Sequence, residues 1–285
     1  MVKNILVVGM GEIGRPLFEI IEENSEYTIY GDDLDPNRCS SNMKNVPNKI
    51  DVIHICIPCK EMQPFIKIVV SYYKRYNPKV IIINSTVPPR TTNFVADVIQ
   101  NSNCLVVNSP MFGRHEDKDF MKERMKLYIR LIGGVTKEAS EYVEKYYQDI
   151  GFKTKIVSSP LESELMKIME TTYAGWMITF FNEFHRTSEY FGANFVEICD
   201  ALAATYYPRC EKPIWYPDVI TGHCINQNID LLLSTYDAGF LHLIKESNEL
   251  RKEEIQDPYI KKVVDEIKDI RHRLLAEHGI YDRKS

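Results

Sequence analysis

No apolar run in the chain approaches the roughly 18 residues that a membrane-crossing helix needs, so no membrane span is expected. Positive charge is not in surplus either: 35 Lys and Arg stand against 40 Asp and Glu, a formal net charge of −5. A surface built to neutralise nucleic-acid phosphates is therefore not expected. Internal repeats and low-complexity tracts are missing, which argues against a solenoid or a disordered linker. The opening MVKNILVVGMGEIG lacks the shape of a secretory leader, because its apolar run passes directly into a glycine loop. Cysteine is present but unsuited to a disulfide framework. Seven residues, odd in number and scattered, fit a reducing compartment, and a cytoplasmic location is expected.

What the chain does have begins at Ile5. ILVVG is an apolar strand, GMGEIG follows at once, and Ile13, Leu17, Ile20 and Ile21 then fall on one helical face. A second strand, YTIYGDD, ends in acid. Strand, glycine turn, helix and strand are the context that gives G-x-G-x-x-G its meaning as a dinucleotide site. Gly9 permits the tight turn, Gly11 allows close backbone approach to a pyrophosphate, and Gly14 lets helix pack on strand. The N–H groups from Glu12, Ile13 and Gly14 would open the helix toward the phosphates. Asp33, 19 residues past Gly14, is placed to meet a ribose diol. Its charge would repel a 2′-phosphate, so NAD is expected rather than NADP, although Arg38 is close in sequence. A Rossmann-like domain that has lost its ligand would carry the same pattern.

Strands and helices alternate onward. Strands are expected at 51–59, 80–84, 105–108, 127–134 and 152–157, and helices at 62–76, 92–100 and 136–151. This predicts an α/β fold, a Rossmann-type doubly wound and mostly parallel sheet covered on both faces. Ligands bind at the C-terminal strand ends of such sheets, which places STVPPRTT and SPMFGR beside the glycine loop. Cys56 and Cys59 form a C-x-x-C, but Cys56 lies within a strand run rather than at a helix start, which argues against a redox or metal pair.

At Ser159 the pattern changes. Ser159, Pro160 and Glu162 read as a capping box opening a helix of about 32 residues, to Gly192. From Tyr173 to Phe184 it is apolar on nearly all sides and is expected to be buried. Lys167, Thr171, Ala174, Ile178 and Asn182 form a small, polar face suited to a ligand wall; a core helix whose lysine snorkels to solvent fits as well. Asn194 can cap the next helix. Tyr206 to Asn228 reads as an irregular loop, helices resume from Ile229 to Glu254, and a charged amphipathic helix closes the chain. The expected domains are 1–158, binding NAD, and 159–285, α-helical and built on the long central helix.

Taken together, GMGEIG with DDLDP, STVPPRTT, SPMFGR, ESELMKIMETTYAGWMITFFNEF, GHCIN and LLLSTYDAGFLHLIKESNELR resemble, in order and spacing, the nucleotide-sugar 6-dehydrogenases, the UDP-glucose/GDP-mannose dehydrogenase family. The resemblance implies NAD as cofactor, a helix lysine at Lys167 that lines the substrate site, a nucleophilic cysteine at Cys224 and a threonine at Thr86. It also implies a homodimer formed through the helix from Ser159 to Gly192. Departures are as specific. The family's loop glutamates stand here as Met111 and His115, its helix asparagine as Thr171, and the aspartate and lysine after the cysteine as Asn228 and Gln227. Too few residues follow Arg251 for the family's nucleotide-binding third domain, so the chain reads as a shortened form.

In the family's chemistry an alcohol loses hydride to give an aldehyde, which the cysteine traps and carries to a second oxidation. Lys167 can stabilise the alkoxide. Cys224, beside His223, can act as nucleophile, or be an inert thiol. Thr86 can orient an oxygen or simply cap its loop. His115 can serve as general base, or be solvated. The expected function is NAD-dependent oxidation of an alcohol, or the reverse reduction, on a small-molecule substrate such as a sugar or nucleotide sugar. The alternatives are the intact UDP-sugar reaction with a partner subunit supplying the missing domain, and a non-catalytic NAD-binding sensor or scaffold.

Overall fold

The computed structural model describes residues 2–100, 103–112, 118–206 and 215–277. The chain divides into two compact units, Met1–Met169 and Glu170–Ser285. The division falls inside the long helix rather than at its first residue.

The first unit is a sheet wrapped by helices. Its strands are β1 (Asn4–Val8), β2 (Thr28–Asp32), β3 (Val52–Ile55), β4 (Val80–Ile83), β5 (Leu105–Asn108), β6 (Arg130–Gly134) and β7 (Thr154–Ile156), and its helices are α1 (Gly14–Asn24), α2 (Met62–Tyr76), α3 (Thr91–Val98), α4 (Lys118–Leu127) and α5 (Lys137–Asp149). The strand order is β2-β1-β3-β4-β5-β6-β7, with every pairing parallel except β5 against β6. The central strands read VVII-like because both faces are covered. Ile5, Val7, Val52, Val80, Ile82 and Val107 pack with Leu17, Ile20 and Ile21 of α1 and Val143 and Tyr147 of α5 in one core.

Glycine stands where the backbone needs it. Gly9 has φ +88°, and a Cβ there would sit 2.8 Å from the Cys56 carbonyl oxygen; a Cβ on Gly14 would sit 1.7 Å from the Gly9 carbonyl oxygen. The sharp turn out of β1 and the close approach of α1 each exclude a side chain.

Two features of this unit depart from the sequence expectation. Helix α4 occupies Lys118–Leu127, where a loop and the start of β6 were expected, so β6 begins at Arg130. The run KDFMKERMKL is mostly charged, but Met121 and Met125, one turn apart, are both buried in the core and hold it. The reversal of β6 follows: a strand entered from a helix lying between it and β5 can return antiparallel without a crossover over the sheet.

The second unit is helical: the later part of α6 (Pro160–Tyr190), then α7 (Phe195–Tyr206), α8 (His223–Leu233), α9 (Gly239–Glu254) and α10 (Pro258–Glu277). Phe181, Phe195, Cys199, Ala203, Val263, Ile267, Ile270 and Leu274 form its core. Asn194 caps α7 as expected, its Oδ1 accepting from the N–H groups of Val196 (3.1 Å) and Glu197 (3.3 Å). Helix α8 begins at His223, within the stretch read from sequence as loop. The apolar middle of α6 is not buried all round. Tyr173, Trp176 and Phe180, spaced three and four apart, are 55%, 37% and 53% exposed and continue the register of exposed Met166 and Met169. Their opposite face, Ile178 and Phe181, goes inward. No described helix is long and apolar enough to cross a membrane.

Candidate functional site

The site is assembled from the loops at the C-terminal edge of the parallel strands. Beyond β1, residues 9–13 turn into α1, whose N-cap, Ile13, provides no side-chain bond to the helix. The first N–H groups of the helix therefore have no side-chain cap. A Cβ on Gly11 would meet nothing within 4 Å, so this position faces open space. Glu12 is exposed and Ile13 half-buried against the core. Asp33 follows the end of β2. One of its oxygens accepts from the Met10 N–H at 2.7 Å and the other from the Asp35 N–H at 2.9 Å. The carboxylate thus fixes the glycine loop and retains lone pairs on both oxygens for further donors. Leu34 beside it is fully exposed.

The loop after β3 carries Cys56 and Cys59. Burial pushes both thiols up to about 12, so neither is a thiolate near neutrality, which does not suit a redox pair. The loop after β4 starts with Ser85, whose hydroxyl donates to the Ile57 carbonyl at 2.6 Å and ties the two loops together. Thr86 is half-buried immediately beyond. Arg90, with φ +73°, then turns the chain into α3.

Glu164 of α6, a residue that sequence reasoning passed over, organises this corner. It is 1% exposed. Its carboxylate accepts from the Thr92 N–H (2.9 Å), the Thr92 hydroxyl (2.6 Å) and the Arg90 N–H (2.6 Å), closing the N-terminus of α3. Burial raises its pKa, and the bonds from Thr92 and Arg90 oppose the rise. Next to it, the Ser163 hydroxyl donates to Asn108 Oδ1 at 2.6 Å. At Gly133 on β6 a Cβ would lie 2.5 Å from the Ser159 carbonyl oxygen. These three contacts dock the first turns of α6 onto the strand ends and explain why the sheet unit extends past Ser159 to Met169. The capping box forms too, with the Ser159 hydroxyl donating to Glu162 at 2.6 Å.

Lys167 lies one turn after Glu164, half-buried, with its ammonium 5.1 Å from the centre of the Phe112 ring. The structure therefore brings Lys167 to the loop after β5. Met111 in that loop is 3% exposed. His115 lies outside the described residues. In the helical unit, Cys224 is exposed and is the second residue of α8, whose N-cap is Gly222 with no side-chain bond to the helix. Asn228, one turn on, is 3% exposed, and Thr171 is 9% exposed with its hydroxyl donating to Glu170 at 3.2 Å.

Known proteins with related sequences match the same stretches. A UDP-N-acetyl-D-mannosamine dehydrogenase of Pyrococcus horikoshii is 30% identical over 176 residues, 59% of this chain and 41% of that protein. The enzyme of the same name from Methanococcus vannielii is 26% identical over 292 residues, 87% of this chain and 65% of that protein. Residues 161–250 match the central domain of the UDP-glucose/GDP-mannose dehydrogenase family. Over those residues the chain is similar to that family. It spans between two fifths and two thirds of the length of these two relatives. Among solved structures, that of the UDP-D-ManNAc dehydrogenase of P. horikoshii superposes with a TM-score of 0.71 at 22% identity, covering 89% of this chain and 70% of that one, which shows a shared fold. The matched residues take in α6 from its second residue, Cys224 and most of α9.

Proposed function

We propose that the chain is an NAD-dependent oxidoreductase that interconverts an alcohol and an aldehyde on a sugar nucleotide or a smaller polar relative of one. The observation that carries this reading is the docking of α6 through Glu164, which delivers Lys167 to the loops at the ligand edge of a sheet that also carries an open glycine turn. The residues fit NAD: Gly9 and Gly14 exclude side chains, Gly11 is open, the start of α1 is uncapped, and Asp33 has free lone pairs but no cation paired to it for a 2′-phosphate. Leu34 adds an apolar surface suited to a base. NAD, when bound, supplies the hydride acceptor. Lys167 stabilises negative charge on the substrate oxygen, and Thr86 orients a polar group at the end of β4. The relatives named as UDP-N-acetyl-D-mannosamine dehydrogenases support a nucleotide-sugar substrate. Met111, Thr171 and Asn228 in place of the family's polar partners favour a reaction that stops at the aldehyde, with Cys224 needed only for an acid product. The exposed stripe of Tyr173, Trp176 and Phe180 supports a homodimer through α6.

The test is NADH formed per substrate, with products identified by mass spectrometry. Lys167→Ala is expected to slow hydride transfer on the order of 10²–10³-fold. Cys224→Ser is expected to leave alcohol–aldehyde interconversion intact and remove any acid product. Loss of the first hydride transfer in a folded, NAD-binding Cys224→Ser protein overturns this division of labour.

A further inference from the structure

Beneath the loop after β5 lies a buried cation with no counter-ion among the described residues. Arg130, the first residue of β6, is 0% exposed. Among the described residues, its Nε and Nη1 find no hydrogen-bond partner. Its Nη2 is directed at the sulfur of Met111, a weak acceptor. The rings of Tyr147 and Phe152 lie 5.7 and 5.4 Å from the guanidinium carbon. The Ser109 hydroxyl, two residues before Met111, is likewise buried without a partner.

Among the described residues, the titratable groups facing this corner do not supply a negative charge. Burial pushes the Cys56 thiol up to about 12, with Arg130 pulling the other way, so it stays protonated. His54 is brought down to about 4 by burial, against the pull of its bond to Asn84, with Arg130 adding to the fall, so it stays neutral. Burial also lowers the Arg130 pKa, against the favourable influence of Tyr147, but a guanidinium does not lose its proton in proteins. An unpaired ion taken out of water is among the most costly features a core can hold, and proteins pair such ions or bring an anion to them.

We propose that Arg130 is the receptor of a small-anion site, in which a monoanion of carboxylate size binds its Nε and Nη2, the side edge of the guanidinium, in place of the side chain of Met111. Methionine suits this role. It is unbranched, has three rotatable bonds and can swing aside without disturbing the backbone. The position of Met111 is also where the resembling family has glutamate, so that what would be an internal carboxylate there comes from solution here. A carboxylate meets a guanidinium with two parallel bonds, which makes formate the natural probe. The site lies wholly in the sheet unit and stands whether or not the chain is a dehydrogenase.

The test uses the full chain in thermal unfolding, titrated with sodium formate at ionic strength held constant with sodium gluconate, an anion too large to enter. A saturable rise in Tm with formate is expected for the wild type, with a matching saturable broadening of the [13C]formate resonance at 25 °C. Met111→Glu supplies the carboxylate internally; it is expected to melt above the wild type in gluconate and to bind formate at least tenfold more weakly. Arg130→Met is expected to lose the formate response. Should Arg130→Met not fold, the Met111→Glu arm decides. A wild type indifferent to formate, an unchanged response in Met111→Glu, or a Met111→Glu protein that melts below the wild type overturns the proposal.

Discussion

Two helices begin at the ligand edge of the same sheet, and they begin differently. At α1 no side chain caps the first turn and Gly11 faces open space. At α3 a buried carboxylate, Glu164, occupies the equivalent place and accepts three bonds. Both termini offer unpaired N–H groups and the positive end of a helix dipole. One has no side-chain partner, and the other is satisfied by a carboxylate from α6. The contrast separates an open terminus from a fastening one: no side chain caps α1, whereas the α3 terminus fastens the first turns of α6, and with them Lys167, to the sheet.

Filling the open terminus should have the largest effect. In Gly14→Ala the new Cβ would lie 1.7 Å from the Gly9 carbonyl oxygen, so the β1–α1 turn must move. We expect NAD affinity measured by calorimetry to fall by more than 100-fold; unchanged affinity would show that this turn does not hold the cofactor. Opening the closed terminus comes next. Glu164→Gln replaces one acceptor oxygen by an NH2 group, which leaves either the Arg90 N–H or the Thr92 N–H without its acceptor. A cost of about 1–3 kcal/mol is expected in denaturant unfolding, the penalty of leaving one buried donor without an acceptor. Because burial raises the Glu164 pKa in the folded state, its titration favours folding most below the unfolded value and loses that contribution as pH rises through the folded value. The stability gap between wild type and Glu164→Gln should therefore be wider at pH 5 than at pH 7, and a gap that narrows on acidification would contradict the assignment. The smallest change concerns selectivity at the open terminus. Asp33→Ala should reduce the preference for NAD over NADP by about tenfold, roughly 1.4 kcal/mol, as read from the two dissociation constants; tighter binding of NADP by the wild type would sink the NAD reading.

The parts of this arrangement differ in how plainly the sequence announces them. Strands β3 to β5 and helix α2 are legible because their apolar runs and glycine or proline boundaries are local signals. The glycine loop is legible for the same reason, as each glycine answers a constraint within a dozen residues. Helix α4 was not legible, because a mostly charged decapeptide is held by two methionines whose partners lie in distant elements. Helix α8 was hidden by the proline-rich stretch before it. Lys167 and Cys224 each stand out through motif order, but Glu164 reads as one more acidic helix residue until Thr92 and Arg90, more than 70 residues earlier in the chain, are seen against it. Arg130 is the same case. Nothing beside it in sequence indicates a buried charge, and only the β5–β6 reversal brings Met111 to it. The exposed face of α6 shows the converse limit: apolar content predicted burial, while the register of Tyr173, Trp176 and Phe180 decides which face stays open within one chain.

The histidine in β3 has a consequence of its own. His54 is fully buried, with Nδ1 2.8 Å from Asn84 Oδ1 and Nε2 2.9 Å from the Tyr146 hydroxyl. Asn84 Nδ2 donates to the Ser109 carbonyl at 2.7 Å, so its oxygen is the acceptor here and the ring proton resides on Nδ1. A ring held neutral down to about pH 4 by burial, in a side chain that ordinarily titrates at 6.5, makes unfolding a proton-consuming reaction in mildly acidic solution. Each molecule that opens between those values takes up a proton at His54 that the native sheet refuses. On that residue's account the equilibrium between the two forms shifts by up to a factor of ten for every unit of acidification across the window. The imidazole at the centre of the sheet thus makes exposure to acid a solvent-borne signal for opening the whole domain, with no need for any group at the ligand edge to change charge.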